Sequence, residues 1–230
     1  MIKVVGFDAD DTLWHDAREF VALEAAIHAE IGAYVDPALV AEAMVSRHGR
    51  DLPLYGYGIK AYLLSVVETL ATLGGERVPA SAFARIIAAG RDVLSRPTEL
   101  LPGVEPALDL LARRFRLVLI TKGDLLHQER KILGSGLARH FDSVEIVSDK
   151  SAETYRRVFG ALSATGPEAA MLGDSVRSDI IPALAAGAWA LHVPQTPGWS
   201  HEAAPVPADH PHYRHFDDVE RAAAWLLSQA

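Results

Sequence analysis

Cysteine is absent from the 230 residues, which excludes disulfides, thiol nucleophiles and zinc–thiolate centres. No apolar run approaches the roughly 20 residues that span a bilayer. The first strand-like run begins at Ile2 and leaves no room for a secretory leader, so cytoplasmic residence without membrane contact is the expectation. A basic surplus is also missing: 22 Lys and Arg face 30 Asp and Glu, a net charge of −8, and nothing favours a nucleic acid as partner. What is left, 50% hydrophobic and 23% charged, is the composition of an ordinary globular fold.

The most informative segment is Val4-Val5-Gly6-Phe7-Asp8-Ala9-Asp10-Asp11-Thr12-Leu13. The run Ile2 to Phe7 is β-branched, apolar and of strand length, so it reads as a buried strand. It ends in three acids, whose mutual repulsion and desolvation oppose burial unless a cation relieves them. Asp8 and Asp10 lie two apart and project to the same side of an extended backbone, whereas Asp11 faces away. One carboxylate can attack while the other handles protons, and a hard cation such as Mg2+ suits their oxygens.

Three further apolar runs end in polar residues: Leu117–Ile120 before Thr121-Lys122-Gly123-Asp124, Val144–Val147 before Ser148-Asp149-Lys150, and Ala169–Leu172 before Gly173-Asp174. Helical patterning over Leu125 to Gly134 and Ala152 to Ala164 separates them. Strands alternating with helices predict an α/β fold, a Rossmann-like parallel sheet with right-handed crossovers. All strand C-termini of such a sheet share one edge, which brings Asp8, Asp10, Thr121, Lys150 and Asp174 into one site.

Taken together these motifs resemble the haloacid dehalogenase-like superfamily. Asp8-Ala9-Asp10-Asp11-Thr12 matches its first motif, Thr121 the second, Lys150 the third, and Gly173-Asp174-Ser175 with Asp179 the acidic fourth, in the family's order. Two positions depart: residue 11 is often glycine there, and the segment after Lys150 is often proline-rich. The resemblance implies an Mg2+-dependent phosphohydrolase working on a small phosphorylated metabolite through an aspartyl-phosphate. Asp8 is then the nucleophile and Asp10 the acid and base, with Thr121 and Lys122 on the phosphoryl group. Lys150 offsets its charge. The implied metal ligands are Asp8, the Asp10 carbonyl and Asp174, with Asp179 behind them. Rivals are a phosphomutase, a 2-haloacid dehalogenase, which needs neither metal nor a second carboxylate, and a non-enzymatic phosphoacceptor domain, whose chain is half as long and uncapped.

Residues 16–97 exceed what a crossover needs and carry helix-like spacing over Ala17–Ile31, Pro37–Arg47, Ile59–Leu73 and Ser81–Leu94. They read as a helical cap inserted into a core formed by 1–15 and 98–230. Within them, Arg47 to Gly58 is the least helix-like stretch, and His48, Arg50 and Tyr57 are candidate substrate contacts on a loop. His201, His210, His212 and His215 lie in proline-rich sequence beyond Trp189–Val193, read as the last strand; a surface loop is expected there, not a metal site. Neither the substrate nor the oligomeric state is legible.

Overall fold

A computed structural model describes residues 1–196 and 204–229, apart from the side chain of His48. The chain forms two compact units, one of 1–17, 98–122 and 128–230 and the other of 18–97 and 123–127.

The first unit is built on six parallel strands, β1 (Val4–Phe7), β2 (Arg116–Lys122), β3 (Ser143–Val147), β4 (Ala169–Gly173), β5 (Trp189–His192) and β6 (Tyr213–His215). Their order is β3-β2-β1-β4-β5-β6, so the chain reverses direction across the sheet at β1, between β2 and β4. This is the Rossmann-like α/β architecture expected from the alternation of runs. The inner strands β1, β2, β4 and β5 are largely apolar on both faces because helices cover both, whereas the edge strands β3 and β6 are only partly buried. Val5, Phe7, Leu117, Leu119 and Leu172 face α5 (Val104–Leu111) and α9 (Val219–Ser228), with Ile132 of α6 (Leu125–Ser135). Val4, Val118, Ile120 and Met171 face Tyr155, Val158 and Phe159 of α7 (Ala152–Ala161) and Ala183 of α8 (Ile181–Ala185).

One strand was not foreseen. The segment expected to be a loop after β5 contains β6, paired through Ala190–Tyr213 and His192–His215. At three residues, flanked by proline and histidine, it is too short for a period of two to declare itself. His201 lies outside the described residues.

The second unit packs α1 (Ala17–Ile31), α2 (Pro37–Tyr55), α3 (Ile59–Gly74) and α4 (Ala80–Leu94) around Leu23, Ile27, Ile31, Val40, Val66, Leu70, Ile86 and Val93. Asp36 caps α2, accepting from the Ala38 N–H at 2.9 Å, and Pro37 occupies the first turn. Of the stretch Arg47–Gly58, expected to be a loop, only 56–58 lies outside a helix; the rest is the second half of α2. Its polar residues bind α3. Arg47 reaches Glu68 at 2.7 Å, Tyr55 also contacts Glu68, and the buried Asp51 accepts from Ser65 at 2.7 Å. These partners lie far off in sequence, so local spacing could not reveal the helix. It stops at Gly56, whose φ of 71° suits glycine.

Leu108 is fully buried on α5 whereas Leu110, two residues on, is 49% exposed. Leu108→Ala should cost about 2–5 kcal/mol in urea unfolding and Leu110→Ala less than about 0.5 kcal/mol. Equal losses would mean that α5 does not present this face to the sheet.

Candidate active site

β1 ends at Phe7, but the Asp8 N–H still donates to the Leu172 carbonyl at 2.9 Å, so the first acid is held in register with β4. Its side chain is buried beside Lys150, which follows β3, and Lys150 Nζ also binds Asp179 Oδ1 at 2.8 Å. Thr12 joins two loops: its hydroxyl donates to Asp8 Oδ2 at 3.1 Å and accepts from the Asp174 N–H at 3.2 Å.

After β4 the chain makes a π-helical turn over Val176–Ile180, closed by the Ile180 N–H on the Ser175 carbonyl at 3.1 Å. The wide turn brings Asp179 back against the strand end, where Oδ2 accepts from the Ser175 N–H at 3.0 Å. Only glycine fits beside it, since a Cβ on Gly173 would lie 2.3 Å from the Asp179 carboxyl carbon. Tyr155 supports the turn from α7, donating to the Ser178 carbonyl at 2.9 Å. His192, at the end of β5, bridges the Asp174 carbonyl and the Tyr213 hydroxyl, each at 3.0 Å.

Carboxylate oxygens of Asp8, Asp174 and Asp179 all lie within 4.8 Å of one another, the group with metal-holding geometry among the described residues. Burial pushes Asp8 up to about 7, Asp179 adds to this, and Lys150 opposes it. Asp174 is raised well above the carboxylate range by burial and then by Asp8 and Asp179. Burial would lower Lys150, but Asp179 and Asp8 outweigh it and keep the ammonium charged. Three acids against one lysine leave a deficit of positive charge, and hard oxygen donors at this spacing fit a divalent cation such as Mg2+. The tail histidines form no comparable group among the described residues.

Asp10 has other neighbours. Its Oδ1 accepts from Trp14 Nε1 and Lys131 Nζ, both at 2.6 Å, and Oδ2 accepts from Gln128 Nε2 at 3.0 Å. The same amide reaches Thr121 Oγ at 2.6 Å. Burial would raise Asp10, but Lys131 and these hydrogen bonds hold it below the usual range. Lys122 turns to Ser178 Oγ at 2.6 Å.

Asp11, expected to face away from Asp8 and Asp10, sends its carboxylate to the start of α1 while still feeling the charge of Asp10. It sits at φ 58°, where glycine is usual, and its carboxylate accepts from the Asp16 and Ala17 N–H groups at 2.9 and 3.0 Å. These bonds cap α1 and offset the strain.

The structure therefore gathers Asp8, Lys150, Asp174 and Asp179, and ties Asp10 to Thr121 through Gln128. Arg50 belongs to the second unit, bound to Asp51 at 2.7 Å and Glu68 at 3.1 Å, and Tyr57 follows α2 there; the His48 side chain lies outside the described residues. Trp14, Gln128, Lys131, Tyr155 and His192 were not singled out from sequence. Gln128 left one signal: four residues before Ile132, it fills a buried position of α6 that helical periodicity would make apolar.

Residues 2–187 match the haloacid dehalogenase-like hydrolase family, and the chain belongs to that family. A haloacid dehalogenase-like family hydrolase from Xanthomonas campestris is 35% identical, with a TM-score of 0.86 over 99% of this chain and 95% of that one. The fold is shared with a 2-haloacid dehalogenase from Pseudomonas syringae pv. Tomato DC3000, at 22% identity and a TM-score of 0.68, each chain covered in full. It is shared also with a predicted phosphoglycolate phosphatase from Haemophilus somnus, at 18% identity, a TM-score of 0.64 and 98% of both chains. No curated protein matches the sequence.

Asp11→Ala should cost about 2 kcal/mol in urea unfolding, since it loses the cap and keeps a Cβ at positive φ. Asp11→Gly, which loses the cap but relieves the strain, should cost about 1 kcal/mol less. The reverse order would show that the backbone there is unstrained.

Proposed function

We propose that the chain is an Mg2+-dependent phosphohydrolase of small phosphorylated metabolites, with Asp8 as nucleophile. The observation that carries this reading is Asp10. A hydrolase that displaces halide needs no second acid beside the nucleophile, whereas release of an alkoxide from phosphorus needs a proton donor. Here the second carboxylate is held by three donors and joined to a threonine hydroxyl at the neighbouring strand end.

In this mechanism an Asp8 oxygen forms a bond to phosphorus as the bond to the ester oxygen breaks. Asp10 gives its proton to the departing alkoxide. The phosphate dianion beside Asp10 favours the protonated form that this step requires. Asp10 then takes a proton from water, whose oxygen attacks phosphorus and frees Asp8 and phosphate. Thr12 and Lys150 orient the nucleophile throughout, and Thr121 and Lys122 supply donors for the phosphoryl oxygens. Asp8, the Asp10 carbonyl and Asp174, with Asp179 behind, would hold Mg2+, which when bound would supply the positive charge that offsets the phosphoryl group. The second unit, inserted between the first two motifs, is a cap that selects the substrate.

A panel of phosphorylated metabolites and 2-haloacids, assayed for phosphate and halide release, tests the reading. Phosphate release should require Mg2+, cease in EDTA, be poorly restored by Ca2+ and fall to background in Asp8→Asn. Halide release that survives EDTA would place the chain with the dehalogenases instead.

A further inference from the structure

We propose that Gln128 and Lys131, one turn apart on α6, are positioning residues that hold Asp10 and Thr121 as a single unit and leave Oδ2 as the Asp10 oxygen that transfers the proton. The inference rests on the function proposed above, in which Asp10 moves a proton and Thr121 binds the phosphoryl group.

The argument starts from the lone pairs of Asp10. Its Oδ1 accepts two close donors, Lys131 Nζ and the Trp14 indole N–H, each at 2.6 Å. Two charge-assisted or buried donors fill the accepting directions of one carboxylate oxygen. Oδ2 accepts only the Gln128 amide among the contacts described, at 3.0 Å, and keeps a direction open. Lys131 cannot swing away freely, because its ammonium is also bound to Asp16 Oδ1 at 2.8 Å. Trp14 is fully buried and fixes the same oxygen from the opposite end of the motif loop.

Gln128 couples this carboxylate to the second strand. Its amide nitrogen lies 2.6 Å from Thr121 Oγ and 3.2 Å from the Lys122 carbonyl, in a side chain that is almost wholly buried. The reversed amide would set a carbonyl oxygen against the Asp10 carboxylate, so the NH2 group must face it. An amide that donates to the Thr121 hydroxyl occupies an acceptor position there. The hydroxyl's own hydrogen is then free for a phosphoryl oxygen. One glutamine thereby sets the direction of two functional groups that come from different strands.

Two esters of similar shape separate this role from mere structural support. Phenyl phosphate has a poorer leaving group than p-nitrophenyl phosphate and depends more on a well-placed acid. With Mg2+, Lys131→Met and Gln128→Leu should lower kcat on phenyl phosphate at least tenfold more than on p-nitrophenyl phosphate, with KM little changed. Asp10→Asn should show the same asymmetry, and Lys131→Arg should recover most of the loss. Equal losses on both esters in the α6 variants, beside an asymmetric Asp10→Asn, would overturn the proposal. A second measurement does not depend on hydrolysis. The Trp14 indole N–H resonance, bonded to Asp10, should move in Lys131→Met and Gln128→Leu as it does in Asp10→Asn. If it stays in place in both α6 variants, the positioning role is overturned. If it moves while the wild type hydrolyses neither ester, the positioning stands and the phosphohydrolase reading falls.

Discussion

The pair of contacts that Lys150 makes with Asp8 and Asp179 carries the arrangement at the sheet edge. Parallel strands deliver their C-terminal residues to one side, and here that side receives acids from β1 and β4. Buried like charges at this spacing would separate or take up protons without a cation among them. Removing the lysine would leave both acids uncompensated, a loss of about 3–5 kcal/mol for a buried pair broken from one side. Thr12, the π-helical turn and Gly173 fix where each carboxylate lies, but Lys150 allows them to be there together.

Around that centre the polar residues divide into two groups with different chemistry. Asp8, Asp174 and Asp179 face one another and are short of positive charge. Asp10, only two residues from Asp8, is oversupplied with donors and is held as a carboxylate. The first motif, which turns on the Ala9 carbonyl, aims two identical side chains into unlike surroundings. Burial acts on both, so it is their partners that separate them.

Much of this was legible in the chain. Apolar runs ending in Asp8, Thr121, Lys150 and Asp174 declared both the sheet and the edge where these residues gather, because the inner strands, buried on both faces, need no alternation to be seen. What escaped depended on distant partners. The polar half of α2 looked like a loop until Glu68 and Ser65 of α3 received Arg47, Tyr55 and Asp51. β6 is a strand only because β5 lies beside it. Gln128 and Lys131 carry no motif, since their meaning comes from Asp10, more than a hundred residues earlier. Asp11 at a glycine position was visible as a departure, but the bonds that offset it were not.

The contact between Gly173 and Asp179 also limits how this sequence can change over time. A side chain at 173 would collide with the carboxyl group of Asp179, so it can enter only after residue 179 has become smaller. Residue 179 cannot shrink first without stripping one partner from Lys150 and the acceptor from the Ser175 N–H. A change at 173 waits on one at 179, and a change at 179 is damaging in itself, so neither order passes through an undamaged intermediate. The two positions are locked together by sterics and charge, so descendants of this chain will alter the turn after β4 through its outward-facing residues while these two persist.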